Sequence, residues 1–242
     1  MQAGARQLNW EGCYNARDLG GLVTEGGAVT RYGSVFRSDM LSRLTARGWE
    51  TAVNAGLQTI IDLRGTAEAA KAAYESACPA SVAYHNIPLE SNDPHAAQPM
   101  QAAQTRANVY RVILTHYAPN VAQVMRAIAA APAGGLVVHC HAGKDRTGII
   151  TALLLRLVGV SHIAIGADYV LSQAALWPLY EQMVAEAGEG AFVNPWLRPV
   201  AMADMILQPL AELEQRHGSI AAYLQQAGIT DAEITTLHQR LM

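Results

Sequence analysis

Residues 139–148 read HCHAGKDRTG and lie between an apolar run, LVV, and a second one, IITALLL. One cysteine, two histidines, a lysine, an aspartate and an arginine share those ten positions. At a strand-to-helix turn, backbone N–H groups freed from both elements converge beside the helix N-terminus and form a nest for an anion. Cys140 opens the turn, where the amides, the helix dipole and Arg146 favour its thiolate, a ready nucleophile. Arg146 stands six residues on. Its planar fork suits two equatorial oxygens of a phosphoryl group and can follow their charge into the transition state. Residues His141, Ala142, Gly143, Lys144 and Asp145 complete a phosphate-binding turn with Arg146. Gly143 and Gly148 let the backbone curl tightly, and Thr147 brings a hydroxyl toward the sulfur when it must leave.

Two plainer readings compete. A cysteine after an apolar strand is often a small core filler. A metal site made from His139, Cys140 and His141 is the rival, but neighbours on an extended chain point to opposite faces and do not readily close on one ion. His139 is better suited to orienting Cys140 and its loop by hydrogen bonds, with His141 at the pocket mouth. The strand, the glycines and the helix-like run around the cysteine favour catalysis without metal or cofactor.

The elements needed to carry this turn are legible. The stretch GLVTEGGAVTRYGSVFRS suggests a hairpin followed by a strand near residues 34–37. LTARGWETAVNAG has helical spacing, with Thr45 as N-cap and Gly56 as stop. LQTIIDLR is apolar without alternation, as in a strand covered on both faces, and ends in Asp62 and Arg64. SVAYHNIPL predicts another strand, and residues 91–108 lose periodicity and suggest a lid or loop. Helices are predicted over 105–115, 120–130 and 147–158, the last closed by Gly159, and throughout the C-terminal third, where TDAE has capping-box spacing. The expectation is one α/β domain over 1–242: a mostly parallel sheet of four to five strands flanked by helices.

Composition narrows the function. A formal net charge of −3 leaves no cationic excess for a nucleic-acid backbone or a polybasic membrane surface. Cys13, Cys78 and Cys140 are too few and too scattered for a disulfide framework. The longest apolar stretch, GIITALLLRLVGV, is short for a bilayer and carries Arg156. With no apolar leader at the N-terminus, the expected compartment is the cytoplasm, export without a cleaved signal being the alternative.

At HCHAGKDRTG the chain resembles the cysteine-dependent protein tyrosine phosphatase superfamily, in a bacterial branch typified by a secreted mycobacterial tyrosine and phosphoinositide phosphatase. NARDLGG at 15–21, FRSDMLSRL at 36–44, IIDLR at 60–64, GADYVLSQ at 166–173 and HGSIAAYLQQAGI at 217–229 fit that branch in order. The resemblance implies the tyrosine-phosphatase fold and phosphomonoester hydrolysis, with Cys140 as nucleophile and Arg146 as clamp. It also implies phosphotyrosine, phosphoserine or phosphothreonine proteins, or phosphoinositides, as substrates, Lys144 suggesting extra anionic groups. Two departures stand out: Ala16 replaces an aromatic of the N-terminal motif, and the 91–108 stretch is shorter than the mycobacterial lid.

Such chemistry needs one carboxyl group to protonate the leaving oxygen and then to activate water. Asp62, on the sheet edge shared with Cys140 and at a family position that fits an acid, is the first candidate, and Asp145 the alternative. Pairing with Arg64 is the structural reading of Asp62. Arg17 and Asp18 are expected to pair with each other, and Arg37 and Asp39 to line the pocket or form a solvated pair. A phosphatase of a small phosphorylated metabolite and a non-catalytic phosphate-binding module are the competing functions.

Overall fold

The structure is a computed structural model describing residues 6–71, 78–90, 98–188, 194 and 197–242. Its sheet is built from β1 (Arg17–Asp18), β2 (Val35–Ser38), β3 (Leu57–Asp62), β4 (Ala83–Asn86) and β5 (Gly135–His139), in the spatial order β1-β2-β5-β3-β4. β1 runs antiparallel to β2, and the other neighbours are parallel. The expected α/β architecture with a mostly parallel sheet is therefore present. The central strand β5 pairs Val137 with Ile60 and Val138 with Ile61 of β3.

The period-two geometry of a strand divides those side chains between two cores. Ile60, Val137 and Phe36 pack on one face with Trp10, Leu41, Trp49 and Leu57. Ile61, Val138 and Leu136 pack on the other with the helices. All five residues of β5 are buried, which explains why LVV shows no alternation.

The helices are α1 (Ala46–Asn54), α2 (Thr66–Lys71), α3 (Gln98–Gln101), α4 (Arg106–His116), α5 (Ala118–Ala130), α6 (Asp145–Leu157), α7 (His162–Ala187), α8 (Ala203–His217), α9 (Ile220–Gln226) and α10 (Asp231–Leu241). Thr45 caps α1 through Gly48 N, and Thr230 with Glu233 forms the capping box of α10, as their spacing predicts. Gly56 and Gly159 take φ of 94° and 80° where the preceding helices stop. α6 is apolar nearly all round because it is enclosed: Ile149, Ile150, Leu153, Leu154 and Leu155 are each at most 1% exposed. Among the described residues, no helix is long and apolar enough to cross a membrane.

The expected hairpin is closed by Thr24 N to Ala28 O at 2.8 Å and Thr30 N to Leu22 O at 2.9 Å, around a bridge between Val23 and Val29. Of the proposed lid, 91–97 lie outside the described residues, 98–101 are helical, and Thr105 already caps α4 through Asn108 N.

Candidate active site

Parallel order brings the C-terminal ends of β2, β5 and β3 to one sheet edge, so Asp39, Cys140 and Asp62 all arise there. The turn from β5 into α6 contains Cys140, and Asp145 and Arg146 begin the helix. Gly143 has φ of 64°, and a Cβ there would stand 2.1 Å from Ser38 O. Only glycine lets the turn curl this closely against the end of β2. Gly143→Ala is expected to lose about 1–2 kcal/mol to the left-handed backbone alone, and more to the collision. Urea midpoints should show that loss, together with displacement of the loop and loss of oxyanion binding.

Cys140 is 3% exposed and opens onto a cavity of about 610 Å³. The floor carries His141, Ala142, Lys144, Asp145 and Arg146, and Leu176, Leu179, Tyr180 and Met183 of α7 form one apolar wall. Leu197 and Pro199 also line it. His139 is fully buried behind the loop, and its Nδ1 donates to Cys140 O at 3.0 Å. Burial lowers the His139 pKa and so favours the neutral ring, although Asp62 pulls the other way. His141 instead lies exposed at the cavity mouth, so the two histidines diverge around the cysteine. Thr147 is fully buried, and its hydroxyl has no hydrogen-bond partner among the described residues.

Arg146 Nη1 and Nη2 donate to the two oxygens of Glu68 at 2.7 and 2.9 Å. Two of the five guanidinium N–H groups are so engaged, which fixes the plane and leaves the Nε edge available. Glu90 Oε1 stands 3.9 Å from that Nε. Burial disfavours the Arg146 charge, but the Cys140 sulfur and Glu68 outweigh it and hold its pKa above the ordinary range. Burial raises the Glu90 pKa, Arg146 working against the shift and the neighbouring Glu68 and Asp145 adding to it. Neither glutamate was singled out from sequence. Glu68 could have been found as the acidic residue in the first turn of the helix after IIDLR, whereas Glu90 carries no local motif.

Asp62 does not reach the cavity, which corrects its placement as the leading acid. It is completely buried, and both oxygens are taken by Arg64, Nε at 3.0 Å to each and Nη2 at 2.7 Å to Oδ2. Arg64 N and Tyr84 Oη also donate to it, at 3.0 and 2.9 Å. Although burial pushes its pKa up, His139 and Arg64 outweigh that and bring it below the usual value. A carboxylate so engaged is a structural ion pair. Asp145 does line the cavity, and it accepts from Lys144 at 2.8 Å, from Arg106 at 3.1 Å and from Tyr110 Oη. Burial acts to raise its pKa, but Lys144 and Arg106 bring it below the ordinary value.

Three further expectations change. Lys144 is 2% exposed, its Nζ bound to Asp145 and to Val200 O at 3.2 Å, so it ties the loop to the cavity wall instead of presenting a free cation. Arg17 does not pair with Asp18: Arg17 Nε reaches Asp168 at 3.0 Å, while Asp18 accepts from Gly20 N and Gly33 N. Adjacent strand residues point to opposite faces, so the expected pair cannot close. Arg37 and Asp39 are at most 1% exposed and are neither pocket wall nor solvated pair.

Comparison with known proteins agrees with this geometry. A sequence model described as the tyrosine phosphatase family matches residues 8–242. A tyrosine-protein phosphatase of Nostoc commune is 32% identical over 85% of this chain and 73% of its own. The triple specificity protein phosphatase PtpB of Mycobacterium tuberculosis is 27% identical over 96% of this chain and 97% of its own. A match along nearly the whole length, over a cysteine–arginine turn at the edge of a parallel sheet, makes this chain a member of the tyrosine phosphatase family.

Proposed function

We propose that this phosphatase hydrolyses aryl phosphomonoesters, phosphotyrosine in proteins above all, through a phosphocysteine intermediate. The observation that carries the reading is the cavity itself: an apolar slot between α7 and residues 197–199, with Cys140 and Arg146 at its floor. Such walls suit a flat aromatic ring whose phosphate points down into the turn. The Cys140 sulfur attacks phosphorus, and the bond to the leaving oxygen breaks as that oxygen takes a proton from a carboxyl group. Water then attacks the phosphocysteine, gives its proton to the carboxylate and releases the sulfur, which the Thr147 hydroxyl, without a hydrogen-bond partner among the described residues, would stabilise. This chemistry asks for no metal or cofactor.

Proton delivery is assigned to Glu90 in preference to Asp145. Asp145 is held as an anion by two cations, whereas Glu90 stands at the Arg146 Nε edge and its raised pKa favours the protonated form. Arg43, on the cavity rim and held by Asp39 at 3.2 Å, supports phosphoinositides as the second reading, by offering a cation to a further phosphate.

The test is a panel of phosphotyrosine, phosphoserine and phosphothreonine peptides, mono- and bisphosphorylated inositides, and sugar and nucleotide monophosphates, run with and without chelator. Phosphotyrosine should have the highest kcat/KM, chelator should have no effect, and quenched reactions should carry phosphate on the Cys140 peptide by mass spectrometry. A chelator-sensitive rate or an unmodified Cys140 overturns the mechanism. Highest kcat/KM on a small metabolite overturns the substrate, and phosphate binding without turnover makes the protein a binding module. Glu90→Gln should slow a poor leaving group by roughly 10²-fold and p-nitrophenyl phosphate much less, as loss of a general acid requires.

A further inference from the structure

The carbonyls of the Cys140–Arg146 turn are held from the side away from the cavity. His141 O accepts from Met40 N at 3.0 Å. Ala142 O accepts from Asn15 Nδ2 at 3.0 Å, and Gly143 O accepts from Asn15 Nδ2 at 3.0 Å and from Arg37 Nη2 at 2.8 Å. In a trans peptide unit the N–H points opposite to the C=O. Fixing these three carbonyls outward therefore aims the amides of Ala142, Gly143 and Lys144 the other way, toward the phosphate position.

The donors are themselves anchored. Asn15 N and Tyr14 N donate to Asp39 Oδ1, each at 3.0 Å. Asn15 Oδ1 accepts from Arg17 Nη1 at 2.6 Å, while Arg17 and Arg37 both grip Asp168 of α7. Arg6 reaches the same carboxylate, and Arg37 Nη1 also donates to Thr151 at 3.1 Å. Asn15, Arg37 and Asp168 are at most 2% exposed. Three guanidinium groups around one carboxylate leave positive charge behind the turn, where it favours an anion on the other side.

We infer that Asn15 and Arg37 are positioning residues for the phosphatase reaction, a carbonyl clamp that presets the turn's amides for phosphate oxygens, with Asp168 holding the clamp. The clamp rests on the phosphate-binding part of the proposed function, but its test does not need turnover. Preset donors are effective because no reorganisation is needed when charge develops.

The readout is alkylation of Cys140 by iodoacetamide and its protection by inorganic phosphate, alongside thermal midpoint and kcat/KM on p-nitrophenyl phosphate. Asn15→Asp is the informative variant. It keeps the shape and the oxygen that faces Arg17, and protection is measured well below its thermal midpoint. Yet it replaces the Nδ2 donor with an oxygen against two carbonyls, so half-protection should need at least about tenfold more phosphate, the scale of lost supporting hydrogen bonds at other sites. kcat/KM should fall in parallel. Arg37→Lys should weaken protection too, because one ammonium cannot span Asp168, Thr151 and Gly143 O, and it serves the same comparison should Asn15→Asp not fold.

Wild-type protection constants in these variants, or constants that merely follow the thermal midpoint, overturn the clamp while leaving hydrolysis intact. Weakened protection in the variants of a wild-type protein that binds phosphate without hydrolysing it keeps the clamp and removes the hydrolase reading. Absence of protection in the wild type removes both.

Discussion

Arg146→Lys lowers kcat/KM on an aryl phosphate by about 10³-fold, because an ammonium supplies a point charge where the transition state needs a planar fork. The structure sharpens this expectation. Glu68 takes one N–H from each terminal nitrogen of Arg146, at 2.7 and 2.9 Å, and so sets the guanidinium plane relative to Cys140. Lysine cannot accept that guidance and also present two parallel donors to a phosphate. Glu68→Gln leaves the arginine in place but loosens it, so the loss should be smaller, roughly tenfold, and confined to kcat if the substrate's ground state is held by the loop amides. Cys140→Ser removes turnover altogether while leaving phosphate binding measurable. Steady-state kinetics on p-nitrophenyl phosphate check the series, and an Arg146→Lys enzyme within tenfold of wild type would refute the clamp role.

The turn itself was legible in the sequence because everything that makes it is contiguous: an apolar strand, glycines at the curl, an arginine at the helix start. What supports the turn was not. Asn15, Arg37, Asp168 and Glu68 come from four separate segments, and nothing local in NARDLGG announces that Asn15 binds carbonyls at 142 and 143. Buried arginines are a recurrent blind spot, since sequence suggests a local pair with Asp18 for Arg17 and a pocket wall or solvated pair for Arg37, while the fold encloses both around Asp168. Lys144 shows the same limit within the motif: the sequence fixes its position in the loop, but only tertiary packing reveals that Val200 O and Asp145 occupy its ammonium. Asp62 has the expected address at the sheet edge, but its neighbours there could not be read: two residues on, just past the end of β3, Arg64 turns back and closes on it.

That ion pair carries the largest stability effect expected from one side chain here. Asp62→Ala takes from the fully buried Arg64 the carboxylate it binds at 2.7 Å, and breaking a buried pair on one side costs about 3–5 kcal/mol. The pH dependence distinguishes this role from a catalytic one. The Asp62 pKa is lowered in the folded protein, so its contribution is fully present above the unfolded carboxylate value and is lost as pH falls through the folded value. His139, also lowered by burial, adds a contribution present above the unfolded histidine value of about 6.5 and lost below it. Asp18, Asp39 and Glu90, whose pKa values are raised, act in the opposite sense but equally in wild type and variant, so they cancel in the difference. Urea midpoints should therefore show Asp62→Asn well below wild type at pH 7, with the gap narrowing as the solution is taken below about pH 4, where the unfolded carboxylate is protonated. Equal midpoints at pH 7 with a lost proton-transfer limb in the rate profile would return Asp62 to the reaction.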